Sequence, residues 1–340
     1  MKKEKTTNNG NLYRKFGIIT IIAVFFLILV GGIVRSTGAG MGCPDWPKCF
    51  GTWVPPTDVS QLPADYKTIF AVQGREIADF SVFKTWVEYT NRLVGVLIGF
   101  LIFLTLLFSL PFRKTDPTVT SFSFLAFVLV GFEGWLGSKV VSTDLHPVLI
   151  TVHMLVALII VGVLIYAVAR SHKKDLTYQD PTNLNQLNKW IAIILSLSFL
   201  QIIMGTQVRE AIDIIAKTLG EEQRNLWIDE LGMTFYFHRS FSIVVGILNI
   251  MFVQRVIKNT APKHPARLWS KVMLALIGIV VLSGAIMGHF GIPAVLQPVH
   301  LLLGSLIVGC QFYIALLVNH SRVLGSNSNS TLKYQHQATT

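Results

Sequence analysis

Phe235-Tyr236-Phe237-His238-Arg239 heads an apolar run over 234–254, and an earlier version of it, Glu88-Tyr89-Thr90-Asn91-Arg92, heads another over 87–110. Both fit Tyr-x-(Asn/His)-Arg. Working outward, Val152-His153-Met154-Leu155 answers to Val299-His300-Leu301-Leu302, and Ile160-Val161-Gly162 to Ile307-Val308-Gly309. The run preceding each pair closes on arginine, as Gly32-Ile33-Val34-Arg35 and as Gly205-Thr206-Gln207-Val208-Arg209. Three correspondences in the same order indicate an internal duplication.

Hydrophobic residues fill 52% of the 340 positions and charged residues only 14%, against about 25% charged in soluble domains. Eight runs are long enough to cross about 30 Å of hydrocarbon: 16–34, 87–110, 118–138, 147–169, 190–208, 234–254, 271–289 and 295–318. The first lacks the small-residue cleavage site of a signal peptide and reads as a span. The expected fold is therefore all-α integral membrane, with eight transmembrane helices forming two pseudo-twofold-related four-helix bundles. Four helices return the chain to its starting side, which makes the halves parallel repeats about an axis along the membrane normal. The divisions are a cytoplasmic N-terminus (1–15), a first half (16–169), a cytoplasmic linker (170–189), a second half (190–318) and a disordered cytoplasmic tail (319–340).

The formal charge of +11 raises the question of nucleic acid, and its placement answers it. With the N-terminus inside, the inner segments carry 18 of the 29 Lys and Arg residues. That bias is the positive-inside rule and predicts N-in/C-in topology; a nucleic-acid face would be continuous and interleaved with aromatics. The expected surroundings are membrane lipid, with no nucleic-acid partner.

Location sorts the nine histidines. His172, His264, His320 and His336 fall in inner loops or the tail and read as solvated surface; His146 and His289 fall at the outer boundaries. His153, His238 and His300 lie about one turn inside the outer ends of their spans, where ionisable groups are costly and face the bundle interior. Three at matching depth point to metal or heme ligation. His238 and His300, from the second and fourth helices of one half, suit the two axial positions of a heme. The corresponding pair in the first half is Asn91 and His153, which gives that half one imidazole. Carboxylate di-iron chemistry needs more inward Glu than Glu88 and Glu133 provide. Gly38-Ala39-Gly40-Met41-Gly42 leaves a membrane helix and opens no predicted helix, so it is no nucleotide cradle.

Glu88 shares a helix face with Asn91 and reads either as a helix-terminal charge beside Arg92 or as a proton-handling carboxylate. Glu133 reads equally as structural or functional. Arginine forks suit heme propionates; Arg239 is the strongest candidate, with Arg35, Arg92 and Arg209 behind it and interfacial anchoring as the other account. Cys43 and Cys49, six apart in the outer loop 35–85, are expected to pair as a disulfide, with free or redox-cycling thiols as the alternative. Cys310 reads as packing.

At this point the chain resembles the bacterial heme A synthases. The most specific stretch is Val34-Arg35-Ser36-Thr37-Gly38-Ala39-Gly40-Met41-Gly42-Cys43-Pro44-Asp45-Trp46-Pro47-Lys48-Cys49, supported by Glu88-Tyr89-Thr90-Asn91-Arg92, His153, the 201–209 segment, His238-Arg239 and His300. The likeness spans nearly all of 16–318. It implies an oxidoreductase of CH or CH2 groups that converts the C8 methyl of heme O to the formyl of heme A by successive hydroxylations, supplying terminal oxidases. It further implies a heme b (protoheme) cofactor between His238 and His300, and heme O as substrate in the first half against His153, Asn91 and Arg92. The position of Glu88 is essential in that family, and the loop cysteines occur in a bacterial subgroup. Heme O synthase and terminal oxidase assembly factors are implied partners, and the bacterial cytoplasmic (inner) membrane the implied location. Asn91 departs from the usual histidine. Two rivals are a diheme b-type electron-transfer protein, expected to carry a complete histidine pair in each half, and a heme carrier that leaves its cargo unchanged.

Overall fold

The computed structural model describes residues 2–176 and 178–325; His336 and most of the expected tail lie outside them. Eight helices among the described residues are long and apolar enough to cross a membrane. They are α1 (Lys2–Ser36), α2 (Val82–Ser109), α3 (Pro117–Ser142), α4 (Pro147–Ser171), α5 (Leu184–Leu219), α6 (Gly232–Asn259), α7 (Pro265–His289) and α8 (Leu296–Val318). Helix starts follow local chemistry. Proline occupies the first position of α3, α4 and α7, where its missing N–H goes unnoticed and its φ is preset. The Ser81 hydroxyl accepts from the Lys84 N–H to cap α2, and Gly220, at φ 75°, ends α5.

The helices pack as two rings. One closes α1 to α2, α2 to α3, α3 to α4 and α4 back to α1; the other closes α5, α6, α7 and α8 in the same cyclic sense. Helix α8 joins them, lying against α1 and α4 as well as its own ring. Its Ile307, Ile314 and Leu317 share a buried core with Ile160, Val161 and Leu164 of α4 and Val24 of α1. Lipid and protein interior are equally apolar, so close fit and interhelical hydrogen bonds hold such rings together. The Gln311 amide donates to Ser198 Oγ (2.8 Å) and Asn249 Oδ1 (2.9 Å) across three helices. Thr20 and Thr105 join α1 to α2 at 2.8 Å.

Most helices run a few residues past their apolar runs, and two exceed them by more than ten residues at one end. Helix α5 continues to Leu219 rather than ending at 208, because Val208, Ile212 and Ile215 bury a stripe against Trp227, Leu231 and Ile292. Helix α1 begins at Lys2 rather than 16, and the added portion is docked: the buried Tyr13 hydroxyl meets Ser123 Oγ at 3.0 Å, and Arg14 pairs with Asp175 at 3.1 Å. Beside it Asp116 takes Arg170 (2.9 Å) and Lys173 (2.5 Å). Burial alone raises the Asp116 pKa, but the bonds from these two cations outweigh it and hold the carboxyl below its usual range.

The histidines at this end correct the sequence reading. His264 and His320 are not solvated: they are 2% and 0% exposed. His320 is held by the carbonyls of Leu317 and Tyr178, both at 3.1 Å, and its ring meets those of His264 and Tyr178. The His264 Nδ1 caps α7 by accepting from the Ala266 N–H at 3.2 Å. The polar surroundings of both residues in sequence conceal a fold-back of the linker over the ends of α7 and α8. His172 fits its expectation better, being partly exposed and 3.2 Å from Asp175.

Burial, then the neighbouring His320 and Arg267, push the His264 pKa down to about 4, against Asp180 alone working upward. A base depressed in the folded state is protonated more readily in the unfolded chain, so stability falls as pH drops from about 6.5 towards 4. The detergent-solubilised protein is expected to lose several degrees of Tm over that window. His264→Asn, which keeps a capping acceptor but no titrating group, should flatten the dependence; an unchanged pH profile in that variant refutes the assignment.

Candidate functional site

An imidazole can lie flat against a neighbouring helix only where that helix offers no side chain. His238 of α6 has such a place on α5: a Cβ on Gly205 would sit 3.2 Å from its Cε1. His300 of α8 has one on α7, where a Cβ on Gly284 would sit 3.2 Å from its Cε1. Each ring also has a partner for Nδ1. Ser283 Oγ lies 2.8 Å from His300 Nδ1, and the Gln201 amide 3.2 Å from His238 Nδ1 and 3.0 Å from its carbonyl. The two ring centres are 6.4 Å apart. Iron–nitrogen bonds of about 2 Å, plus about 1.1 Å from nitrogen to ring centre, place two axial imidazoles about 6.3 Å apart. The pair thus fits a single iron between them, with the remaining positions supplied by a macrocycle. Among the described residues no group of three or more His, Cys, Asp or Glu gathers to hold a bare ion.

The first ring repeats the glycine seats with different occupants. A Cβ on Gly137 of α3 would lie 3.5 Å from His153 Cε1, and one on Gly31 of α1 would lie 4.0 Å from Asn91 Oδ1. Glu133 brings Oε1 to 3.1 Å from His153 Nδ1. Three buried polar atoms here have no hydrogen bond: Asn91 Oδ1, His153 Nδ1 and Glu133 Oε2. Buried polar atoms left without a partner in an apolar bundle are costly, and a polar or metal-bearing ligand would satisfy them.

Glu88, on α2 one turn before Asn91, is 4% exposed and fully engaged. Its Oε2 accepts from the Cys43 N–H at 2.9 Å and its Oε1 from Arg92 at 2.5 Å. Arg92 donates on to the carbonyls of Cys43 (2.6 Å), Asp45 (2.6 Å) and Lys48 (2.9 Å). The sequence offered Arg92 as a propionate contact; its guanidinium instead stitches Glu88 to the loop above. That loop is closed by the Cys43–Cys49 disulfide and has its own core, with Phe50 packed on Tyr66, Phe70 and Phe80. It sits directly on α2: a Cβ on Gly42 would fall 2.4 Å from the Lys84 carbonyl, so only glycine fits.

Other sequence candidates fall elsewhere. Arg35 and Arg209 both pair with Asp213 at 2.7 Å, joining α1 to the extension of α5. Arg239 is exposed and lies over Phe235 and Tyr236. His146 is exposed just before α4, and His289 lies with Arg224 and Asp229 in an open groove at the end of α7. Cys310 is buried in the core. Gln201, Ser283 and the glycine seats were missed in the sequence. The glycines had left a signal, since Gly137 and Gly284 are separated by the same interval as Asn91 and His238, and as His153 and His300.

These features define a polytopic membrane protein in which facing helices bring two imidazoles together at a separation that fits one iron between them. Comparison with known proteins narrows the class. Residues 14–312 match the cytochrome oxidase assembly protein family, COX15-CtaA, and the chain belongs to it. Similar proteins include the heme A synthase of Shewanella oneidensis, 25% identical over 68% of either chain. That of Parvibaculum lavamentivorans is 28% identical over 60% of this chain and 62% of its own. That of Shouchella clausii is 22% identical over 91% of this chain and 98% of its own.

Buried ion pairs cost most when one partner is removed, about 3–5 kcal/mol, because the other charge is stranded. Arg92→Met is therefore expected to destabilise by about that amount, while Glu88→Gln combined with Arg92→Met costs clearly less than the sum of the two changes. Thermal or denaturant unfolding in detergent measures it; strict additivity would mean that the pair is not coupled.

Proposed function

We propose that the chain acts as a heme A synthase of the bacterial cytoplasmic membrane, an enzyme of heme A biosynthesis that oxidises the C8 methyl of heme O to a formyl group. The observation that carries the reading is the inequality of the two rings. One presents two glycine-seated imidazoles at heme spacing; the other presents one imidazole, an asparagine and a buried carboxylate on the asparagine's helix. The rings are taken as duplicated halves about a pseudo-twofold axis along the membrane normal, with N-in/C-in topology from the charge bias. The outer loop with its disulfide then covers the site from the outside.

In this reading His238 and His300 would hold a heme b, which would supply electron transfer. Arg239, exposed at the head of α6 over Phe235 and Tyr236, is the candidate for its propionates. Heme O enters the first ring with His153 on its iron. Asn91 faces the other side and leaves that position without a strong protein ligand, and Arg92 forms part of the wall. Glu88 accepts and returns protons at the methyl and its hydroxylated form. Its pinning by the Cys43 N–H and Arg92 fixes where those protons go. Two hydroxylations, each a two-electron oxidation that draws on an external oxidant such as dioxygen and leaves one oxygen atom on the carbon, convert the methyl through the alcohol to a geminal diol, which loses water to the aldehyde. Heme O synthase as donor and terminal oxidase assembly factors as recipients are the partners that membership of the family implies.

Pigment extraction from cells that supply heme O tests the reading. The chain should yield heme A, whereas a diheme electron carrier or a heme transporter would return only the hemes it was given. Glu88→Gln should lower heme A by at least about 100-fold while bound heme b persists. His238→Ala should remove the low-spin spectrum of the second ring. Heme A formation that survives His153→Ala would overturn the assignment of the halves.

A further inference from the structure

Glu133 has no function in the account above, and its position is expensive. It lies within a membrane span, 9% exposed, and burying a carboxylate without a partner is among the costliest arrangements available. Among the described residues no lysine or arginine pairs with it; its one ionic neighbour is His153, at 3.1 Å from Oε1 to Nδ1. The contact is out of hydrogen-bonding alignment, and both Nδ1 and the second carboxylate oxygen are without a hydrogen bond. A small turn of the ring, of the kind that ligation through Nε2 imposes, would close it.

The second ring provides the comparison. There the Nδ1 atoms meet a serine hydroxyl, Ser283, and a carboxamide, Gln201. Both partners are neutral. Of the three imidazoles set on glycine seats, only that of His153 is backed by a carboxylate. The group on Nδ1 decides which nitrogen carries the proton, where the ring points and how strongly Nε2 donates to a metal. A carboxylate pulls the Nδ1 proton towards itself and gives the ring imidazolate character; a hydroxyl or amide only orients it.

We propose that Glu133 is a positioning residue for the substrate site: it takes the His153 Nδ1–H, aims Nε2 at the iron of the bound substrate heme, and makes His153 a stronger donor than His238 or His300. The inference rests on the placement of substrate in the first ring. It assigns the two rings different electronic character through the partner of the axial histidine. The carboxyl partner then belongs to the ring where carbon would be oxidised, and the hydroxyl and amide partners to the ring that would pass electrons.

The iron–histidine stretching mode, seen by resonance Raman in five-coordinate ferrous heme, tests this on the full-length protein in detergent carrying heme in both rings. The six-coordinate second ring does not contribute to that mode, and its low-spin bands report that each variant is folded. Glu133→Gln, which keeps shape but removes charge, should shift the mode downward. Glu133→Ala should shift it further, and Glu133→Asp should recover part of the native frequency. An unchanged mode in Gln and Ala variants that retain first-ring heme overturns the proposal. Should these variants not accumulate, the native protein decides: a mode at the position of a neutral, hydroxyl-bonded imidazole, unmoved by exchange into D2O, overturns it equally. Retention of first-ring heme with the same mode in His153→Ala would instead sink the underlying placement of the substrate.

Discussion

Inside a helix bundle surrounded by hydrocarbon, an imidazole needs two things that the solvent does not supply: space beside the next helix, and a partner for the nitrogen that faces away from any ligand. Both are provided in pairs across this molecule. Gly205 and Gly284 open the space for His238 and His300, as Gly137 does for His153. Ser283, Gln201 and Glu133 lie against the corresponding Nδ1 atoms. The order of helices in each ring follows from this, because every seated residue takes its glycine from an adjacent helix. Replacing Gly205 or Gly284 by alanine would push the facing ring aside by about a few tenths of an ångström.

The outer loop is subject to a second constraint. A carboxylate as buried as Glu88 is tolerable only with charge and hydrogen bonds brought to it, and they arrive from a segment that is not helical. The Cys43 N–H and the Arg92 guanidinium bind it directly, and Arg92 in turn binds three loop carbonyls. Loop and carboxylate therefore hold each other. The disulfide shortens the loop at the point where these contacts are made, so the position of the carboxylate depends on the integrity of a covalent ring outside the bundle.

Much of this was legible in the sequence because membrane physics writes it in large letters. Eight apolar runs, the three deep histidines and the repeated Tyr-x-(Asn/His)-Arg needed no tertiary information. The cysteine pair was legible as an expectation. What escaped was whatever depends on one helix meeting another. A glycine within an apolar run looks like any other small residue until the opposing ring is known, and Arg92 looks like a propionate ligand until the loop folds over it. His264 and His320 sit in polar sequence and are buried because the linker returns over the helix ends. Helix α5 outran its apolar stretch because its continuation buries one face against Trp227.

The proposed duplication explains how one scaffold could serve two chemistries. The glycine seats and the helix order are what each ring needs to fold around a flat ligand, so they recur at matching intervals. The residues that tune reactivity lie one contact further out and are under no such obligation. Asn91 stands where the second ring has His238, and Glu133 lies beside the His153 Nδ1 as Ser283 lies beside that of His300. Glu88 has Phe235 as its counterpart in the repeated motif. Each substitution alters what a bound heme would experience without altering the packing that holds it. The fold constrains where a heme can go, and the partners of the histidines set what happens to it there.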